Sequence, residues 1–303
     1  MCYRISYQLF ENVAVSIVRE PPMPYSVRIT STTPACFIFL LDQSGSMSKV
    51  PPNGTGKTLA EGVADAVNRV LRNICLKSVS ANRNLKDRFY VGMVRYGQDA
   101  GPALAGPLVG KPLVGVSELN AHPLRMVETV DQVKAPTGQL VERRIKWPVW
   151  VDPVADGKTP MCAALRLAEG MARMFVNEYP DCYPPIVLNI TDGIPNDGDP
   201  RPYAKRLCQV ASSDGETLLF NLHISAESTG TIQYPAVEDE AWDKFARLLF
   251  RMSSPLPETM LAFARQLLLP VTAGSRGFGY NADLSGVVQF LDIGTQTQVG
   301  PKP

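Results

Sequence analysis

Apolar side chains along this chain follow three rhythms, and each marks a different kind of element. Over residues 1–34 apolar and polar positions alternate, through Tyr3, Ile5, Tyr7 and Leu9 and then Val13, Val15 and Ile17. A period of two sets one side of a strand against a core and the other in water, so this stretch predicts half-buried antiparallel strands and an N-terminal β-hairpin. From Cys36 the alternation gives way to a continuous run, Phe37, Ile38, Phe39, Leu40 and Leu41. A strand without a polar side is covered on both faces, and residues 185–190 and 218–224 read the same way. Three such runs point to a parallel sheet.

Between the runs the period lengthens to that of a helix. Leu59, Val63, Ala66, Val70 and Ile74 recur at three- and four-residue steps, as do Met161, Leu165, Ala168, Met171 and Phe175. Strands alternating with helices require crossovers, so the fold class is α/β: a doubly wound, mostly parallel central sheet flanked by helices. Thr159 followed by Pro160 reads as a helix start, a hydroxyl cap followed by proline at the first helical position.

Residues 97–156 are rich in Gly and Pro and hold one strand-like piece near 145–151, which reads as an elaborated loop with one or two short strands. Two further helices are expected near 257–268 and 283–291. The organisation that follows is a β extension over 1–34, one domain over 35–295 that carries the 97–156 insertion, and a tail over 296–303.

Composition narrows the function. A hydrophobic share of 45% in 303 residues supplies ample core, and a formal charge of +1 leaves no whole-chain field for nucleic acid or anionic lipid. The six cysteines, Cys2, Cys36, Cys75, Cys162, Cys182 and Cys208, form no C-x-x-C pair and read as reduced thiols. The apolar runs fall short of the roughly 18 residues that span a bilayer, and no basic-then-apolar leader opens the sequence. A cytoplasmic protein bound to neither membrane nor nucleic acid is expected.

Candidate chemistry lies where the apolar runs end. Asp42, Gln43, Ser44, Gly45 and Ser46 follow the first buried strand in the pattern D-x-S-x-S, Asp192 ends another strand in Asn189-Ile190-Thr191-Asp192-Gly193, and Thr159 opens the helix between them. In an open parallel sheet ligands bind beyond the carboxyl ends of strands, so the three segments can converge. Carboxylates and hydroxyls are hard oxygen donors that suit Mg²⁺ or Mn²⁺ rather than zinc. Two carboxylates roughly 6 Å apart repel by about 3 kcal/mol at an effective dielectric of 20, which a cation between them relieves.

This pattern resembles the metal-ion-dependent adhesion site of von Willebrand factor A domains, in the order D-x-S-x-S, threonine, aspartate. The resemblance implies that Ser44, Ser46 and Thr159 coordinate the metal directly or through water, that Asp42 and Asp192 act mainly through water or hydrogen bonds, and that a Glu or Asp of a partner protein fills the last position. The metal would be Mg²⁺, or else Mn²⁺ or Ca²⁺. The order of strands and helices over about four fifths of the chain is similar to the family. Residues 154–164 (VADGKTPMCAA) and 278–294 (FGYNADLSGVVQFLDIG) look like its bacterial stand-alone cytoplasmic branch, which includes tellurite-resistance-associated proteins. That likeness implies a non-enzymatic adaptor in a stress or conflict system, with a kinase, phosphatase or ATPase encoded nearby as candidate partner.

Other readings compete. The same cation could serve a phosphoryl or ester hydrolase, or merely stabilise a scaffold. Residues 54–58 (GTGKT) invite a phosphate-loop reading, but Pro51 stands where the motif requires glycine, as Asp152 does ahead of Gly157-Lys158-Thr159. Ser44 lacks the G-x-S-x-G context of a hydrolase nucleophile. His122 and His223 are the only histidines, and His223 inside an apolar strand reads as a sheet-end packing residue. Cys162 reads as helix packing, and Arg143, Arg144 and Lys146 as a solvated strand face.

Overall fold

The computed structural model describes residues 24–51, 56–79, 85–134, 140–225 and 230–282. In chain order the elements are β1 (Ala35–Asp42), α1 (Leu59–Ser78), β2 (Phe89–Tyr96), β3 (Ala100–Pro102), β4 (Val114–Gly115), α2 (Val116–Ala121), β5 (Arg125–Lys134) and β6 (Leu140–Val149). They continue as α3 (Met161–Glu178), β7 (Ile186–Thr191), α4 (Arg201–Cys208), β8 (Ala211–Ser212), β9 (Gly215–Glu216), β10 (Leu218–Ile224), β11 (Ile232–Gln233), α5 (Lys244–Met252), α6 (Glu258–Gln266) and β12 (Phe278–Ala282).

The main sheet runs β11-β12-β10-β7-β1-β2-β3, with β4 also on β2. Its five inner strands, β12, β10, β7, β1 and β2, are parallel, and β11, β3 and β4 attach antiparallel at the edges. The continuous apolar run of β1 has its reason here, because alternate residues serve opposite layers. Phe37, Phe39 and Leu41 pack with α1 and α6, while Cys36, Ile38 and Leu40 pack with α3, α4 and α5. Fully burying each large apolar side chain contributes about 1.5–3 kcal/mol, which makes the central strand the anchor of both cores. The architecture is the doubly wound α/β sheet that the patterning predicts.

From β1 the chain runs to β2 on one side and later returns to β7 on the other. That reversal opens a crevice at the carboxyl ends of β1 and β7.

Several details differ from the sequence reading. The 97–156 segment is more ordered than a loop with short strands, since β5 and β6 form a two-stranded antiparallel ribbon of ten residues each. Strands β2 and β12 and helices α4 and α5 lie where no element is expected from pattern alone. The N-terminal hairpin falls largely on residues 1–23, outside the described residues, as do the helix expected over 283–291, the tail and Cys2. Residues 24–34 form no strand, and Ser26 N and Val27 N donate to the two carboxylate oxygens of Asp214, in the turn between β8 and β9, at 3.0 and 3.1 Å.

Candidate metal centre

Asp42 is the last residue of β1 and only 2% exposed. Its Oδ1 accepts from Ser44 N at 2.8 Å and its Oδ2 accepts from Thr191 Oγ1 at 2.6 Å. The chain then turns through a short 3-10 segment, Gly45–Ser48, which sets the Ser44 and Ser46 hydroxyl oxygens 3.0 Å apart. Ser46 Oγ donates to Asp192 Oδ1 at 2.6 Å. Thr159, buried at 6% exposure, reaches the same place: a methyl group added at Gly193 would lie 2.8 Å from Thr159 Oγ1 and 3.3 Å from Asp42 Oδ2. The five residues singled out from the sequence therefore meet at one point, and Gly193 stands there because no side chain fits.

Backbone hydrogen bonds stitch the contributing loops. Gly45 N donates to Gly157 O at 3.0 Å, Asp156 N to Gln43 O at 2.6 Å, Gln43 N to Tyr96 O at 2.8 Å and Lys158 N to Gly97 O at 3.0 Å. Gly157 adopts φ +94°, and a Cβ there would sit 2.3 Å from Gln98 N, so the close approach of the two loops requires glycine.

Thr159 does not cap α3, contrary to the sequence reading. The helix begins at Met161 behind Pro160, and its open amides at Cys162 and Ala163 are taken across the crevice by Asp197, Oδ1 at 3.0 Å and Oδ2 at 2.9 Å. Asn196 binds Thr159 itself, its Oδ1 accepting from Thr159 N and its N donating to Thr159 O, both at 3.2 Å. Capping from outside leaves the Thr159 hydroxyl available to the cluster.

The electrostatics are those of a cage short of positive charge. Burial pushes the Asp42 carboxyl up to about 6, with the Asp192 charge adding to the rise, against the pull of hydrogen bonds from Thr191 and Ser44. Asp192, its side chain 3% exposed, has a buried Oδ2 without a hydrogen-bond partner among the described residues. Lys49 Nζ stands 3.7 Å from that oxygen, too far for a hydrogen bond, on a side chain 59% exposed. No group of three or more His, Cys, Asp and Glu side chains with metal-holding placement forms among the described residues. The cluster has two carboxylates, and its other oxygens are hydroxyls.

Sequence reasoning missed the supporting residues Thr191, Gly193, Asn196 and Asp197. Thr191 and Gly193 flank Asp192, and a hydroxyl and a glycine beside a strand-end aspartate were the available signal. It also missed a polar row under the site: Tyr96 Oη donates to Asn189 Oδ1 at 2.6 Å, Asn189 Nδ2 to Asn221 Oδ1 at 2.9 Å and Asn221 Nδ2 to Ser253 Oγ at 3.0 Å. All four of these residues are buried, and the row ties β2, β7 and β10 together directly beneath the crevice.

The competing motifs resolve structurally. Thr58 caps α1 in a reciprocal box with Glu61, Thr58 Oγ1 accepting from Glu61 N at 3.2 Å and Glu61 Oε2 from Thr58 N at 2.7 Å, while Lys57 pairs with Asp65 at 2.5 Å. Part of the 54–58 run lies outside the described residues. His223 is 7% exposed, stacked on Tyr280 with centroids 5.3 Å apart, and its Nδ1 accepts from Asn281 N at 3.4 Å. The five described cysteines are free thiols, and burial pushes Cys75, Cys162 and Cys182 up to about 12. No helix among the described residues is long and apolar enough to cross a membrane.

No protein family and no curated protein matches the chain. Among solved structures it is similar to proximal thread matrix protein 1 of the mussel byssus, described with a zinc-occupied metal-ion-dependent adhesion motif, at 15% identity and TM-score 0.44, over 86% of this chain and 48% of that one. It is also similar to the pilus adhesin SpaC of Lactobacillus rhamnosus GG, at 14% identity and TM-score 0.41, over 88% of this chain and 30% of that one. The von Willebrand factor domain of a type V pilus tip protein from Porphyromonas gingivalis gives 11% identity and TM-score 0.26, over 54% and 39%. The chain thus spans less than half the length of each. Likeness this low does not bear on the site, which stands on its own geometry.

Proposed function

We propose that this chain is a binding module that holds one divalent cation with Asp42, Ser44, Ser46, Thr159 and Asp192 and uses it to engage an acidic side chain of a partner protein. The observation that carries the reading is the buried Asp192 Oδ2 with no hydrogen-bond partner among the described residues, set beside a second buried carboxylate and hydroxyl oxygens. Leaving a buried charged oxygen unsatisfied costs several kcal/mol, and a small hard cation is the group whose chemistry matches this donor set. Bound there, the cation supplies positive charge and a coordination position for an outside carboxylate.

The chain's own residues do the rest. Ser44 N and Thr191 Oγ1 hold the Asp42 carboxylate in one orientation, and Ser46 Oγ does the same for Asp192. Asn196 and Asp197 fix the Thr159 turn, so the hydroxyls are positioned before any ligand arrives. The family that the motif resembles supports a non-enzymatic role. Mg²⁺ as the preferred metal, a cytoplasmic setting, and a stress-system adaptor role with a kinase, phosphatase or ATPase as partner belong to this proposal.

Calorimetric titration of the full chain with Mg²⁺ and with Mn²⁺ tests it. The wild type takes up one ion, Ser46→Ala weakens uptake by about tenfold or more, and Asp192→Asn abolishes it while the fold, checked by thermal melting, persists. Equal heats in wild type and Asp192→Asn would remove the proposal. Activity on generic phosphate and carboxylic esters that needs Mg²⁺ and disappears in Ser46→Ala would replace it with a hydrolase.

A further inference from the structure

A second site lies away from the crevice, where the β5–β6 ribbon folds against α1. Between them lies a half-open pocket of about 500 Å³, within the range of small-molecule sites. Its walls are of two kinds: Val127, Pro148, Val149 and Val151 are apolar, and Arg69, Arg72 and Arg125 are cationic. Lys57, Glu61 and Asp65 complete the charged lining.

Most of these charges already have partners. Lys57 is paired with Asp65 at 2.5 Å, Arg125 is paired with Asp152, and Glu61 is engaged by the α1 cap. Arg69 and Arg72 differ. They stand three residues apart on α1, hence on one face, and neither has a carboxylate partner among the described residues. The Arg72 guanidinium lies over the Trp147 ring, 3.8 Å from its centroid, which holds the group against the pocket wall. Partial burial, and the Arg69 charge beside it, pull the Arg72 pKa below its ordinary value. The half-buried Arg72 and the exposed Arg69 beside it thus put two like charges on one wall of the pocket, a place suited to an anion.

The cavity is also built rather than incidental. Asn68, on α1 beside Arg69, clamps the ribbon's exit: its Oδ1 accepts from Trp150 N at 2.8 Å and Val151 N at 3.1 Å, and its Nδ2 donates to Val151 O at 2.8 Å. Trp150 below it is 2% exposed and donates through Nε1 to Leu119 O at 2.7 Å. These bonds tie α1 to the residues that leave the ribbon, on one side of the pocket.

We propose that this cavity binds a small organic anion, a phosphate or carboxylate group carried on a flat or apolar body, with Arg69 and Arg72 receiving the anionic end. Guanidinium groups hold such oxyanions in bidentate fashion, and the Val and Pro wall covers the remainder of the ligand. This site is independent of the metal proposal, since no residue is shared between the two.

The test uses the full chain with phenyl phosphate and phenylacetate as probes of the two headgroups, followed by ligand-observed saturation-transfer NMR and Trp fluorescence. Saturable binding of at least one probe is expected, weakened about tenfold by Arg72→Gln and by Arg69→Gln and unchanged in Asp192→Asn. Arg72→Lys, which keeps the charge but loses the planar fork, gives an intermediate loss. Binding of phenyl phosphate alone identifies phosphate as the ligand group, and binding of phenylacetate alone identifies carboxylate. Arg69 is exposed, so its variant serves even if changing Arg72 disturbs the fold. Absence of saturable binding of either probe up to about 10 mM, or binding unaltered in both Arg→Gln variants, would overturn the proposal.

Discussion

The crevice at the strand ends and the β5–β6 ribbon both draw on the stretch of chain between β1 and β7, yet they are held in opposite ways. At the crevice, the side chains sit at or just beyond the ends of buried strands and on the loop before α3, and the loops that carry them are joined backbone to backbone, Gly45 to Gly157 and Gln43 to Asp156. The ribbon's inner end is held to α1 chiefly by one side chain, Asn68, and by Trp150 beneath it. Two carboxylates can be forced into close burial only where the surrounding backbone cannot yield. A half-open pocket lined by Arg69 and Arg72 tolerates a looser hold.

The sharpest way to break this contrast is at Gly157. Gly157→Ala places a methyl group 2.3 Å from Gln98 N at a φ of +94°, so a loss of about 3 kcal/mol or more is expected in urea unfolding, together with loss of metal uptake. A loss below about 1 kcal/mol would mean that the loops can part without consequence.

Next in size is the pH dependence of the metal-free protein. Burial pushes the Asp42 carboxyl from 3.8 up to about 6 in the fold, so the folded state holds its proton more tightly than the unfolded chain does. The fold consequently loses about 3 kcal/mol through Asp42 as pH rises from about 4 to above 6. In chelator, wild type relative to Asp42→Asn should fall in stability across that window, as followed by thermal melting. Parallel pH curves for the two proteins would contradict the strained-carboxylate picture.

On the ribbon side, Asn68→Ala removes three hydrogen bonds and should cost about 2 kcal/mol while leaving metal uptake intact. Loss of metal uptake in that variant would show that the two regions are coupled. The smallest expected effect is at Asp197, where Asp197→Ala removes a cap borrowed from another loop and costs about 1 kcal/mol in unfolding experiments. Because the same residue steadies the Thr159 turn, a measurable drop in metal affinity should accompany it.

How much of each region could be read beforehand follows from the same physics. The meeting of Asp42, Ser44, Ser46 and Asp192 was legible because continuous apolar runs locate strand ends, which share one edge in a parallel sheet, and Thr159 because a Thr-Pro pair opens the helix between the runs. Strand β2 escaped notice because Gly92 and Arg95 interrupt it. A Cβ at Gly92 would meet Leu113 Cδ2 at 2.9 Å and Met171 Sδ at 3.1 Å, so the interruption exists to admit α3 and the neighbouring loop. Strand β12 was hidden similarly by Gly279 and by Asn281 at φ +50°. The ribbon was legible only in part, as the strand-like piece near 145–151 that falls on β6, and its pocket not at all, since Arg72 and Trp147 are brought together only by tertiary packing. Nor was the cap on α3, where the local Thr-Pro signal named Thr159 and a distant aspartate took the amides instead.

The central claim is that Asp42, Ser44, Ser46, Thr159 and Asp192 surround one ion. Crystals of the full chain soaked in manganese, with an anomalous difference map at the manganese edge, test it most directly. A single strong peak is expected within about 2.0–2.6 Å of the Ser44 and Ser46 hydroxyl oxygens, absent from Asp192→Asn crystals. A map with manganese elsewhere and none between Asp42 and Asp192 would contradict it.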